Sequence, residues 1–180
     1  TPALSFQDPD SLVQVAWHLQ DQRRDPEGQL ADLSLDRSPI VRRAVFRAVA
    51  NVRDTASIPL ILKGLQDPDP GVRHMAAFAA GQLGAASLVP HLLTASALEK
   101  DVRARSSMVD AVGRTGTLSD LDSLSGLFPA GSRRDRAGVL MAMTRFALRG
   151  ISSPRALWYA LECLPDRNPD GSLLRSELDG

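Results

Sequence analysis

The sequence has few cysteines, lysines, glutamates and aromatic residues, and it carries no net charge. Its single cysteine, Cys163, excludes an intramolecular disulfide and leaves the redox compartment open. The 21 basic and 21 acidic residues balance, so the overall charge gives no reason to expect a nucleic-acid or membrane partner. No apolar run approaches the roughly 20 residues that a membrane-spanning helix requires. These 180 residues are therefore not expected to form a disulfide-stabilised scaffold or a membrane span.

Groups that commonly carry catalysis are also sparse. The three histidines, His18, His74 and His91, lie far apart and share no spacing, whereas a metal site needs several converging ligands. Four glutamates give little support for a hydrolase with paired carboxylates. The sequence therefore predicts no catalytic residues, no metal site and no cofactor, and favours a protein that is not an enzyme. Because the chain begins with Thr1 rather than methionine, it is expected to be a processed form or a part of a longer protein.

An internal repeat is the main feature that the sequence does contain. Residues 36–53 recur as residues 67–84, with aspartate, proline, valine and arginine at the same relative positions 31 residues later. A third copy follows at residues 104–116 after a step of 32, and a weaker fourth copy at residues 135–147 after a step of 31. A fixed period of this size is typical of a solenoid, in which neighbouring repeats bury one another.

Each copy has the apolar spacing of a helix, because apolar residues recur every three or four positions. A shorter helix is predicted before each longer one, so every repeat contributes a helix pair. The longer, second helices are predicted near residues 10–20, 39–52, 70–83, 101–115 and 133–148. The first helices are predicted near residues 57–65, 87–98, 119–127 and 154–164. The whole chain, 1–180, is predicted to be one array with repeats near 4–35, 36–66, 67–98, 99–129 and 130–165, and with 166–180 as a clipped repeat or cap.

The pattern Asp-Pro-Asp-Pro-x-Val-Arg-x-x-Ala-x-x-Ala-x-Gly-x-Leu-Gly of residues 67–84 resembles the signature of short HEAT-like repeats, the type also found in phycobilin lyases. The resemblance is clear over residues 36–126 and looser over residues 4–165. It implies an all-α fold, a right-handed α-α superhelix of about four to five helix pairs, with the second helices along the concave side. It also implies an aspartate–arginine ladder that joins adjacent repeats, with Asp36 paired to Arg42 and Asp67 to Arg73, and with Glu99 in place of the third aspartate. The predicted ladder residues are Asp36, Arg42, Asp67, Arg73 and Arg105.

The outward positions of the second helices are the remaining candidates for function. Several of them are apolar, and arginines surround them, which is the composition expected of a groove for a peptide or protein. The alternative is that neighbouring helices bury the apolar members. The predicted binding residues on the concave face are Arg43, Phe46, Arg47, His74, Phe78, Gln82, Arg114 and Arg145.

The function predicted from these residues is a non-enzymatic scaffold that binds a partner protein or an extended peptide on its concave face. One alternative, taken from the resemblance, is an enzyme or accessory similar to bilin lyases. Another is a nucleic-acid-binding protein similar to HEAT-like DNA glycosylases, against which the zero net charge argues. Nineteen of the 21 basic residues are arginine, which suits carboxylate or phosphate partners, although a GC-rich genome would produce the same bias.

Overall fold

Ten α-helices form the regular structure of residues 8–127 and 133–162, which are the residues that the computed structural model describes. The odd-numbered helices are α1 (Pro9–Gln22), α3 (Pro39–Val52), α5 (Pro70–Leu83), α7 (Val102–Thr115) and α9 (Arg133–Leu148). The even-numbered helices are α2 (Gln29–Leu33), α4 (Ile58–Gly64), α6 (Val89–Leu98), α8 (Leu118–Leu127) and α10 (Pro154–Glu162). Short 3₁₀ turns, Thr55–Ser57 and Ala86–Leu88, lead into α4 and α6.

Aspartates cap the beginnings of α5 and α7. Asp69 accepts a hydrogen bond from the Val72 N–H at 2.9 Å, and Asp101 accepts one from the Ala104 N–H at 2.8 Å. Each aspartate therefore satisfies an N–H that the first turn of its helix leaves without a partner. Of the two aspartates before Pro70, Asp69 is the cap, and Asp67 is free for another role.

The helices form two layers. Each odd-numbered helix packs along the next one, so α1, α3, α5, α7 and α9 make a continuous layer, while the even-numbered helices cover its other side. Neighbours in the even-numbered layer make few contacts with one another. The protein is thus an all-α solenoid. The odd-numbered helices, which the family resemblance places along the concave side, form its inner layer, and the even-numbered helices form its outer layer.

The core runs along the stack as a series of interfaces between repeats, and small residues allow the long helices to approach closely. A methyl group added to Gly81 of α5 would lie 3.2 Å from the Ala111 Cα of α7. One added to Gly113 of α7 would lie only 2.7 Å from the Ala142 Cα of α9. Both glycines occupy the same place in successive repeats, so this position sets the spacing of the inner layer.

The helix bounds agree closely with those predicted for α3, α5 and α9, and α7 begins one residue later than predicted. Helix α2 was not predicted, since five residues carry too little periodicity. The Asp25 side chain accepts hydrogen bonds from the Gln29 and Leu30 N–H groups at 2.8 and 3.0 Å, which satisfies two N–H groups of the first turn of α2. The predictions for residues 163–180, including Cys163, lie outside the described residues.

Candidate interaction surface

Two arginine–carboxylate pairs join successive repeats along one edge of the stack. The Arg42 Nε and Nη2 donate to the two carboxylate oxygens of Asp67 at 2.7 and 2.8 Å. One repeat further on, the Arg73 Nε and Nη2 donate to the two carboxylate oxygens of Glu99 at 2.6 and 2.8 Å. Each arginine thus pairs with the acid of the following repeat in a planar, two-bond arrangement, which only arginine can form.

The remaining donors of these arginines hold the link within their own repeat. In three successive repeats, Nη1 of the arginine donates to the backbone carbonyl of the acidic residue six positions earlier. The pairs are Arg42 with Asp36 at 2.9 Å, Arg73 with Asp67 at 2.8 Å, and Arg105 with Glu99 at 2.8 Å. The predicted ion pairs Asp36–Arg42 and Asp67–Arg73 are therefore wrong: each arginine contacts only the backbone carbonyl of the acid in its own repeat, and its carboxylate partner belongs to the following repeat.

The ladder carboxylates are held in their ionised form. Burial alone would raise the pKa of Asp67, but the hydrogen bonds from Arg42 and the Asp69 N–H, with the charge of Arg42, bring it below 3.8. The hydrogen bond from Arg73 lowers the pKa of Glu99 below its ordinary value of 4.5, against the effect of burial. These groups are engaged in joining repeats, which removes them from the candidates for ligand binding.

These shifts predict a loss of stability in acid. The folded chain holds Asp67 and Glu99 ionised below their ordinary values of 3.8 and 4.5, where the unfolded chain takes up protons. Their contribution is therefore complete above pH 4.5 and falls as the pH drops through their lowered folded values. Urea unfolding between about pH 6 and about pH 3 should show this decline. In Glu99→Gln the decline should be shallower; an equally steep decline would contradict the assignment.

A groove of about 530 Å³ lies between α3 and α5 on the exposed side of the inner layer. Its position follows from the stacking, because equivalent outward residues of successive long helices line up across the inner layer. Four of the predicted binding residues line it. The complete lining is Arg47, Ala50, Asn51, His74, Met75, Phe78 and Gln82. Phe78 has 38% of its surface exposed, which is high for a phenylalanine near the middle of a helix.

The polar groups of the groove are partly fixed by their neighbours. The Asn51 Nδ2 donates to the Arg47 carbonyl at 2.9 Å, which leaves the Asn51 side-chain oxygen free to accept a bond. The His74 Nδ1 lies 2.5 Å from the Ser107 Oγ. Burial, and then the charge of Arg103, lower the pKa of His74 below 6.5, so this histidine is neutral at neutral pH. The charge that remains in the lining belongs to Arg47, which has no carboxylate partner among the described residues.

The prediction that Phe46 is exposed in this groove is wrong. Phe46 is 2% exposed and its ring lies against Gly64 of α4, where an added methyl group would be 2.2 Å from the ring. The equivalent residues Ala77 and Val109 are buried too, so this position faces the even-numbered layer throughout the central repeats. The alternative raised from the sequence, that neighbouring helices bury the apolar residues, is therefore the correct one for Phe46. Gly64 has no side chain, and this leaves room for the Phe46 ring.

The other three predicted arginines lie beside the groove. Arg43 does not line the groove. Its Nε and Nη2 donate to the two carboxylate oxygens of Asp69, which precedes α5, at 3.2 and 3.3 Å. Arg114 and Arg145 meet at Asp110: the Arg114 Nε donates to one carboxylate oxygen at 2.9 Å, and the Arg145 Nε donates to the other. Asp110 was not predicted as a site residue, although its spacing of four residues from Arg114 is a signal of such a pair.

Other grooves of similar or larger volume lie among the described residues, between the even-numbered helices of the outer layer. No three histidine, cysteine, aspartate or glutamate side chains converge as a metal site within the described ranges. None of the helices that the structure describes is long and apolar enough to cross a membrane. A second groove, of about 540 Å³, separates α4 from α6 on the outer side, but the ladder pair Arg73–Glu99 forms part of its wall.

Comparison with known proteins agrees with this architecture. The HEAT repeat family matches residues 28–113 and, in a second overlapping placement, residues 62–144. These matches cover more than half of the chain, and the chain belongs to the HEAT repeat family. No curated protein matches it. The narrower resemblance to the phycobilin-lyase type therefore stays a prediction.

Proposed function

We propose that this HEAT-repeat array is a non-enzymatic scaffold that holds an extended segment of a partner protein in the groove between α3 and α5. The observation that carries the proposal is the exposure of Phe78 in a concave groove that also presents Arg47 and Asn51. An apolar side chain in a concavity with a few convergent polar groups is the usual composition of a peptide-binding groove. HEAT repeats are commonly protein-interaction scaffolds.

The groove suits an extended segment better than a folded surface. Its lining comes from two successive helices, α3 and α5, and includes the buried Ala50 and the half-buried Met75. The free oxygen of Asn51 and the free amide donor of Gln82 are available for the backbone of a bound peptide, since the Gln82 oxygen already accepts a bond from Arg53 at 2.9 Å. Backbone contacts of this kind hold extended peptides without demanding one sequence.

Peptide selection on two matched variants tests the proposal. A peptide that lies across the helices from α3 to α9 must cover three interaxial distances of about 10 Å each. An extended peptide of about ten residues is long enough to do so. Peptides selected from a random library on the immobilised chain are expected to lose at least about tenfold in affinity for Phe78→Gln, because the apolar contact is lost. They should bind Leu98→Gln normally, since Leu98 is 78% exposed but lies on the outer layer.

Fluorescence anisotropy with labelled peptides gives the affinities, and circular dichroism checks that both variants are folded. Selected peptides that bind Phe78→Gln as tightly as the unchanged chain would contradict the groove as the binding site. Loss of binding with Leu98→Gln instead would move the site to the outer groove between α4 and α6.

A further inference from the structure

The charges of this neutral protein are separated between its two layers. The five odd-numbered helices contain eleven arginines and four aspartates. The five even-numbered helices contain two basic and four acidic residues. The zero net charge therefore hides a basic inner layer, and a balanced total does not exclude an anionic partner on that side.

The arginines of the inner layer differ in what neutralises them. Arg42 and Arg73 are neutralised by the ladder, and Arg43 by Asp69. Arg47 and Arg103 are exposed, and neither has a carboxylate partner among the described residues. The uncompensated positive charge is thus placed at the groove and beside it, where the charge of Arg103 reaches His74.

A third positive centre lies further along the same side. Arg114 and Arg145 share the single carboxylate of Asp110, which leaves one positive charge at this cluster. Arg145 is about one-third exposed, so its guanidinium keeps donors towards solvent. Equivalent positions of successive repeats line up, so a segment that leaves the groove across α7 and α9 reaches this cluster.

We infer that the segment held in the groove is an acidic peptide, with a large apolar side chain against Phe78 and carboxylates at Arg47 and at the Arg114–Arg145 cluster. This inference rests on the proposed function and names the chemistry of its partner. Carboxylates pair with guanidinium groups through two parallel hydrogen bonds, and the groove lining contains no acidic side chain to repel them.

The arrangement favours a peptide over a nucleic acid. Phosphate binding requires many cations along a continuous track, whereas here Asp110 interrupts the basic side at its centre. The exposed apolar residues Phe78 and Met141 occupy the same position as Arg47 and Asp110 in their repeats. Such a row alternates apolar and charged contacts, which fits the side chains of a peptide.

The test uses the peptides that the selection described above returns, and it compares each with a version in which every Asp and Glu is replaced by Asn and Gln. The selected peptides are expected to be enriched in acidic residues next to a large apolar residue, and their amide versions to bind at least about tenfold more weakly. Arg47→Gln should weaken the acidic peptide about fivefold and the amide peptide little. The matched control Lys63→Gln, which removes a charge from the outer layer, should leave both unchanged.

Salt gives a second readout, because raising it from about 0.1 M to about 1 M should weaken the acidic peptide and barely affect its amide version. Groove-bound peptides without carboxylates, or equal effects of Arg47→Gln and Lys63→Gln, would overturn the acidic assignment and leave the proposed function standing. If the selection returns no peptide that binds in the groove, both the acidic assignment and the proposed function are overturned. A single-stranded oligonucleotide that binds more tightly than the acidic peptides, and more weakly to Arg47→Gln, would also overturn the inference in favour of a nucleic-acid partner.

Discussion

Replacing Arg73 by methionine is expected to lower the free energy of unfolding by about 3–5 kcal/mol, the largest effect predicted for a surface-accessible side chain of this chain. The Glu99 side chain is only 4% exposed, and Arg73 of the preceding repeat donates one hydrogen bond to each of its two oxygens. The variant therefore leaves a buried carboxylate without its counter-ion, and it also frees the Asp67 carbonyl that Arg73 holds. Urea unfolding followed by circular dichroism measures the loss.

Arg43→Met is the matched control for this prediction. Arg43 lies next to the ladder position and also pairs with an acid of the following repeat, but its side chain is 45% exposed. An exposed pair contributes less than about 1 kcal/mol, so this variant should be almost as stable as the unchanged chain. Adding Glu99→Gln to Arg73→Met should recover more than half of the loss, because it removes the uncompensated charge. Equal losses for Arg43→Met and Arg73→Met would mean that the ladder does not hold the repeats together.

Replacing Gly113 by alanine is expected to destabilise the chain by about 2 kcal/mol or more, although alanine is the better helix former by about 1 kcal/mol. The new methyl group would lie 2.7 Å from the Ala142 Cα and 2.8 Å from the Ala142 carbonyl oxygen. Both atoms belong to the backbone of α9, so the two helices must move apart to accommodate it. Thermal unfolding detects the change as a lower midpoint.

Gly81→Ala provides the comparison at the equivalent position one repeat earlier. There the nearest atom, at 3.0 Å, is the Cδ of the flexible Arg114 side chain, and the Ala111 backbone is 3.2 Å away. The helix preference of alanine then offsets most of the crowding, and the stability should change by less than about 1 kcal/mol. A similar loss of stability in both variants would contradict the view that α7 and α9 approach each other more closely than the other helices of the inner layer.

The repetition of short motifs made the fold predictable from the sequence. A capping aspartate sets the beginnings of α5 and α7, with a proline also at the first turn of α5, and three- and four-residue apolar spacing sets their lengths. The participation of acids and arginines in the ladder was predictable because both recur in each repeat. The individual pairs were not predictable, because pairing across repeats depends on the offset between stacked helices and not on spacing along the chain.

The composition of the groove was predictable only in part, for a related reason. Helical periodicity divides residues into inward and outward positions, but it cannot tell which neighbour covers an outward position. Arg47 and Phe78 belong to one column and open to the groove, whereas Phe46, one residue earlier, fills the space above Gly64. That space depends on a glycine 18 positions away in another helix, which only the packed structure relates to Phe46.

The central claim is that the groove between α3 and α5 is where a partner segment binds, and methyl NMR of the methionines tests it most directly. Met75 lines this groove, Met108 is buried in α7, and Met143 lines a separate cavity among α8, α9 and α10. During titration with a selected acidic peptide, the Met75 methyl signal is predicted to shift progressively until saturation, while the Met108 and Met143 signals stay in place. Saturable binding that shifts Met143 and leaves Met75 unchanged would contradict the account.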